Sequence, residues 1–180
     1  MTSHYLRALF EPASVALVGA TERSEKLGAR LMQNLLAAGF SGELFAVNPK
    51  YRSVSGVPCV ASLTEIPRPV DLAVIATPAV TVPGLIEDCG KAGIRAAVIV
   101  TAGFSETGPA GAALEHAVLD AAHRHGVRIL GPNCLGIISH VRPRGDRLAV
   151  ITNGGGPGVM AADRAAELGD PMNRRVVLAL

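Results

Sequence analysis

Short aliphatic runs alternate with amphipathic stretches along the first three quarters of the chain. The runs Ser14–Gly19, Leu44–Asn48, Leu72–Ala76, Ala96–Thr101 and Val127–Leu130 are four to six residues long. They have no polar alternation, so they predict strands buried on both faces. Between them, apolar positions recur at helical spacing over about 27–38, 82–92 and 110–125; in the last, Ala113, Leu114, Ala117, Val118 and Ala121 form the apolar side. Pro83 stands where a helix start tolerates it. Strand–helix alternation at this spacing predicts an α/β fold with a doubly wound parallel sheet. Right-handed crossovers then place the loop after every strand along one edge, where such sheets bind ligands.

The character changes after Ser139. Val141–Arg147 is charged and contains Pro and Gly, and it reads as a linker. Leu148–Thr152 predicts another strand, followed by Asn153-Gly-Gly-Gly-Pro-Gly158 and a helix to about Leu168, with a possible short strand at Val176–Leu180. The expected organisation is therefore a domain over 1–139 and a strand–loop–helix extension over 140–180.

Composition narrows the class. Four Phe, two Tyr and no Trp in 180 residues leave Val, Ile, Leu and Ala to build the core. A net charge of +2 gives no footprint for nucleic acid. No apolar run approaches the ~18 residues of a membrane span, and the N-terminus lacks the apolar centre of a secretion signal. Cys59, Cys89 and Cys134 are widely spaced and make no metal-ligand pattern, which fits a reducing, cytoplasmic setting.

The loops after the strands hold the unusual residues. After the first strand, Gly19 and Gly28 bracket Ala20, Thr21, Arg23, Ser24 and Lys26. A glycine at a strand end lets a phosphate approach backbone N–H groups, and the following helix N-terminus adds a favourable dipole. The alternative is an ordinary turn with solvated charges. After the second strand comes Asn48-Pro49-Lys50, where an NAD site carries an acid for the ribose hydroxyls. Lys50 suits a phosphate instead, although a lysine at a strand exit is equally at home in solvent. Together the two loops predict a Rossmann-like site for a phosphate-rich nucleotide other than NAD. Thr77-Pro78-Ala79 and Gly103-Phe104-Ser105-Glu106 border the same crevice. Phe104 either packs on a ligand or fills the core, and Glu106 either faces the ligand or caps the next helix.

Other candidates carry less. Cys134, in Gly131-Pro-Asn133-Cys-Leu-Gly136, has no basic partner to activate a thiol, which leaves it a structural role. His116, His123 and His125 read as a solvated helix face. Asn153–Gly158 reads either as a second anion loop or as a close helix–strand contact; it lacks the Lys-Ser/Thr ending of a P-loop.

The series Leu9-Phe-Glu-Pro-Ala-Ser-Val-Ala-Leu-Val-Gly-Ala-Thr21, Phe40-Ser-Gly, Val47-Asn-Pro-Lys50, Val70-Asp-Leu-Ala-Val-Ile, Thr77-Pro-Ala, Thr101-Ala-Gly-Phe-Ser-Glu106 and Gly131-Pro-Asn-Cys-Leu-Gly136 resembles the CoA-binding domain of NDP-forming acyl-CoA synthetases. The same domain occurs in the succinyl-CoA synthetase alpha subunit and in multidomain protein lysine acetyltransferases. The match covers about 6–139. It implies that Gly19–Gly28 cradles the phosphates of coenzyme A or an acyl-CoA and that Lys50 meets a phosphate. It also implies that Thr77-Pro78-Ala79, Gly103–Glu106 and Asn133 border the cofactor. In that family a second, flavodoxin-like domain follows, acyl transfer runs through a phosphohistidine, and nucleotide chemistry needs an ATP-grasp region. Here Arg142–Gly169 looks like the opening of the third domain joined almost directly to the first.

The resemblance leads to the expectation of a CoA-binding part of an acyl-CoA synthetase, completed by an ATP-grasp or phosphohistidine-bearing subunit; a homo-oligomer of the chain is a separate expectation. The alternatives are a stand-alone regulatory module responding to CoA or acyl-CoA and an NADP-dependent oxidoreductase. The last has no residue set resembling a hydride-transfer acid or base.

Overall fold

A computed structural model of the chain describes residues 7–134. After a short turn of helix, α1 (Arg7–Phe10), the order is β1 (Ser14–Val18), α2 (Leu27–Ala37), β2 (Glu43–Val47), β3 (Ser53–Val54), β4 (Val57–Val60), β5 (Leu72–Ile75), α3 (Val82–Lys91), β6 (Ala96–Ile99), α4 (Pro109–His125) and β7 (Arg128–Leu130). They form one sheet in the order β3-β4-β2-β1-β5-β6-β7, parallel except for the β3–β4 pair. The α/β, doubly wound expectation holds. The expected extension over 140–180, including Leu148–Thr152, Asn153–Gly158 and Val176–Leu180, lies outside the described residues.

The chain works outward from β1 to β2 and β4, then returns to the other side of β1 for β5, β6 and β7. The direction of winding therefore reverses between β1 and β5, and the crevice outside their carboxyl ends is the ligand position of such sheets. All five residues of β1 are buried, as expected for the central strand.

The hairpin β3–β4 was not anticipated from the sequence. Its strands are two and four residues long, and Pro58 occupies the second. That is too short and too punctuated to register as an aliphatic run. What makes it is the turn: Val54 pairs with Val57, so Ser55-Gly56 is a two-residue loop, and both have positive φ, 50° and 80°. That is the geometry of the tight turn which matches strand twist.

The core lies mainly between the sheet and the α3/α4 layer. There Ile75 and Ile99 pack with Val82, Ile86, Val118 and Phe104. On the opposite face Val74, Val98 and Leu130 stand side by side in register and are only partly buried. Phe104, fully enclosed, is the largest of the completely buried side chains. The thiol of Cys89 is also enclosed; burial, reinforced by the Asp88 carboxylate, pushes its pKa up to about 12. No helix among the described residues is long and apolar enough to cross a membrane.

Gly28 sets the spacing between α2 and β1, and Gly19 the approach of the β1 exit to the β5 exit. A Cβ on Gly28 would run into the carbonyl oxygen of Gly19, and a Cβ on Gly19, whose φ is +91°, would sit 2.8 Å from the Ala76 carbonyl oxygen. Helical propensity alone says that Gly28→Ala should stabilise by about 1 kcal/mol. The contact with Gly19 reverses the sign, and overpacking of this kind costs ~1–3 kcal/mol. Chemical denaturation of Gly28→Ala is therefore expected to show a net loss of stability. Phe104→Ala is expected to lose ~3–5 kcal/mol in the same experiment.

Candidate functional site

The loops at the carboxyl edge are laced together in the order of the strands. Asn48 N–H donates to Val60 O (2.9 Å), Gly19 N–H to Val47 O (2.9 Å), Ala76 N–H to Val18 O (2.9 Å), Val100 N–H to Ile75 O (3.1 Å) and Asn133 N–H to Thr101 O (2.9 Å). Side chains add a second row. Asn48 Nδ2 donates to Ala20 O (2.8 Å), and the Thr101 hydroxyl donates to Thr77 O (2.6 Å). The edge is one connected surface.

The β1 loop combines a tight backbone turn with positive charge. Thr21 is almost buried (8% exposed), and its Oγ1 accepts the backbone N–H of Arg23 at 3.3 Å, turning the chain back toward α2. Lys26 is the residue before α2 and offers no side-chain cap to its first turn. The other two long helices also lack side-chain caps, but each has a proline in its first two positions. A proline has no N–H to offer a ligand. Of the three long helices among the described residues, α2 alone has no proline in its first turn, and it starts where Gly28 packs on Gly19. Across 22–26 and 50–52 four cations, Arg23, Lys26, Lys50 and Arg52, face two carboxylates, Glu22 and Glu25. Glu22 is committed elsewhere, since its Oε1 accepts the Ser55 N–H at 2.6 Å. The excess of positive charge beside a helix N-terminus favours a phosphate.

At the β2 exit, Asn48 spends both ends of its amide inside the protein. Its Nδ2 holds Ala20 O, and its Oδ1 accepts the Lys50 N–H at 3.0 Å. It latches two loops together, and Pro49 carries the chain to Lys50, which is exposed and has no side-chain partner among the described residues. Ala20 is fully buried and contributes through its backbone.

Further along, Pro78 precedes a single turn of 3₁₀ helix, Ala79–Thr81, and the Thr81 hydroxyl lies 2.8 Å from Thr77 Oγ1 and 2.7 Å from Pro78 O. Gly103 has φ +108°, and a Cβ there would stand 3.2 Å from Ala79 Cβ, so the β5 and β6 loops touch. Val80, 71% exposed, is the most exposed large apolar side chain of the described residues and stands on this part of the edge.

Two of the predicted site residues are engaged within the protein, one in the core and one in its own loop. Phe104 fills the core, so of its two readings the structure takes packing. Glu106 bends back to accept the Gly103 N–H at 2.6 Å, and this bond holds its carboxyl below the ordinary glutamate range. It closes its own loop and does not cap α4, whose N-cap is Gly108. Asn133 stands in positive φ at the end of β7. It lies three strands, roughly 14 Å, from β1.

Sequence reasoning missed Tyr51, whose hydroxyl lies 3.0 Å from Thr21 Oγ1. The signal available was one of only two tyrosines in the chain, directly after Lys50. Among the described residues no group of His, Cys, Asp or Glu could hold a metal ion.

Comparison with known proteins agrees with the geometry. A family model described as a CoA binding domain matches residues 13–140. The acetate–CoA ligase (ADP-forming) I of Archaeoglobus fulgidus is 42% identical over 160 residues, 83% of this chain and 23% of that protein. The alpha subunit of acetate–CoA ligase (ADP-forming) I from Pyrococcus furiosus is 39% identical over 137 residues, 74% of this chain and 30% of that subunit. The chain thus spans less than a third of the length of these relatives. Among solved structures, the dinucleotide-forming acetyl-coenzyme A synthetase 1 of Ca. Korarchaeum cryptofilum, in complex with phosphate and ADP, superposes with a TM-score of 0.77 at 32% identity, covering 97% of this chain and 39% of that one. A glycine-rich loop at the switch point of a Rossmann-like sheet agrees with this spread of matches, and the chain belongs to the CoA-binding domain family.

Proposed function

We propose that the chain binds coenzyme A or an acyl-CoA along the carboxyl edge, as the CoA-binding part of an ADP-forming acyl-CoA synthetase. The reaction served is acyl-CoA + ADP + phosphate = acid + CoA + ATP. The observation that carries this reading is the β1 loop, where two glycines floor the uncapped start of α2.

In this reading the diphosphate lies on the backbone N–H groups of the Gly19–Gly28 loop, with Arg23 and Lys26 beside it. Lys50 takes the phosphate on the ribose. The arm carrying the thiol runs across the edge toward Thr77, Ala79 and Gly103. Those loops span four neighbouring strands, from β2 to β6, or roughly 14 Å. That suits an extended ligand. Lysine in the place of an acid at the β2 exit disfavours NAD, whose ribose hydroxyls need a hydrogen-bond acceptor there.

The described residues supply binding and orientation. Phosphohistidine and ATP-grasp chemistry is assigned to domains or subunits beyond residues 7–134. The relatives named as alpha subunits support such a division of labour.

Calorimetric titration of the full chain with CoA, dephospho-CoA and NADPH tests this reading. CoA is expected to bind more tightly than dephospho-CoA. Lys50→Ala is expected to weaken CoA by about tenfold, the worth of one charge-assisted hydrogen bond, and to leave dephospho-CoA unchanged. Binding of NADPH with no binding of either CoA species would overturn the assignment.

A further inference from the structure

The hairpin β3–β4 sits on the edge of the sheet, yet it and the segment that leads into it are tied to the β1 loop by two side-chain hydrogen bonds. The Tyr51 hydroxyl meets Thr21 Oγ1 at 3.0 Å, and Glu22 Oε1 accepts the N–H of Ser55 in the hairpin turn at 2.6 Å. Thr21 Oγ1 in turn accepts the Arg23 N–H. Hydrogen bonds thus run from the Tyr51 ring through a nearly buried hydroxyl to the backbone of the loop. The second contact has an electrostatic consequence. Glu22 is next to Arg23, where a free carboxylate would repel a phosphate. Its bond to Ser55 directs that charge to the hairpin.

We propose that Tyr51 is a positioning residue for the phosphate loop: through Thr21 it holds the Gly19–Arg23 backbone in the conformation that receives the ligand's diphosphate. This rests on the CoA reading above and deepens it. Tyr51 acts on the loop, whereas Lys50, its chain neighbour, acts on the ribose phosphate. The two therefore separate by ligand: loss of the Tyr51 hydroxyl weakens CoA and dephospho-CoA by the same factor, and loss of Lys50 weakens only CoA.

The test is calorimetry of the full chain with Tyr51→Phe, Thr21→Val, Thr21→Ser and the double variant Tyr51→Phe/Thr21→Val. Each is checked for an unchanged circular dichroism spectrum. Tyr51→Phe and Thr21→Val are each expected to weaken both CoA and dephospho-CoA by about three- to tenfold, the worth of one hydrogen bond, with the number of sites still near one. The double variant should be no weaker than the worse single, because both break the same bond. Thr21→Ser keeps the hydroxyl and should bind nearly as wild type does.

Unchanged affinity in Tyr51→Phe, or losses that multiply in the double variant, would overturn the proposal while leaving the CoA site standing. A fall in the number of sites at unchanged affinity would make Tyr51 an ordinary structural contact and overturn it equally. If the wild-type chain binds neither CoA species, the CoA reading falls and this inference falls with it.

Discussion

Helix α2 can approach the end of β1 as closely as it does only because Gly28 has no side chain to meet the Gly19 carbonyl oxygen. That contact fixes where the helix begins, and α2 is the one long helix among the described residues without a proline in its first turn. A side chain on Gly28 would lift α2 from the strand end, and one on Gly19 would press on the Ala76 carbonyl. The start of α2 would then be displaced, even if the sheet itself survived. The rest of the edge is arranged around this point. β1 is central and completely buried, the winding reverses beside it, and the loops on either side hydrogen-bond to its ends.

The lacing of those loops has a mechanical consequence. Backbone polar groups at strand ends would otherwise need water or a ligand. Here each exit loop finds its partner in the next strand, and Asn48 and Thr101 close the gaps that the backbone leaves. A ligand lying across the edge therefore meets a surface already held in shape, and little of its binding energy goes into ordering the protein. Asn48 shows the difference between lying at a site and contacting a ligand: both ends of its amide are consumed in holding Ala20 and Lys50 where they are.

Most of this architecture was legible in the chain because its strands are aliphatic and its helices amphipathic. The five expected strands and three long helices all appear within two residues of their expected ends. β6 closes at Ile99 ahead of the expected Thr101, and its exit residues instead serve as loop anchors. The hairpin β3–β4 was not legible. It is specified by a turn, Ser55-Gly56, and by pairing with β2, and neither leaves an aliphatic run. The site followed the same rule. Glycines and cations at strand exits announce themselves by type, which is why Gly19, Gly28 and Lys50 could be named. The inward turn of Phe104, the retreat of Glu106 onto Gly103 and the reach of Tyr51 to Thr21 depend on where neighbouring elements lie, so only the fold discloses them.

The two ends of the edge have different chemistry. Around β1 and β2 lie cations, N–H groups and a tethered carboxylate, which suit a diphosphate. Around β5 and β6 lie Thr77, Ala79, Gly103 and the exposed Val80, with little charge and no activated thiol. Cys89 is enclosed and held neutral, and burial raises the thiol pKa of Cys59 at the end of β4. A ligand anchored by its phosphates at one end and passing over weakly polar loops at the other would have its far end held in place but not attacked. An anchor must be held in place if it is to define the position of atoms several strands away, and the hydrogen bonds of Thr21, Asn48 and Glu22 tie the β1 and β2 loops together at that end.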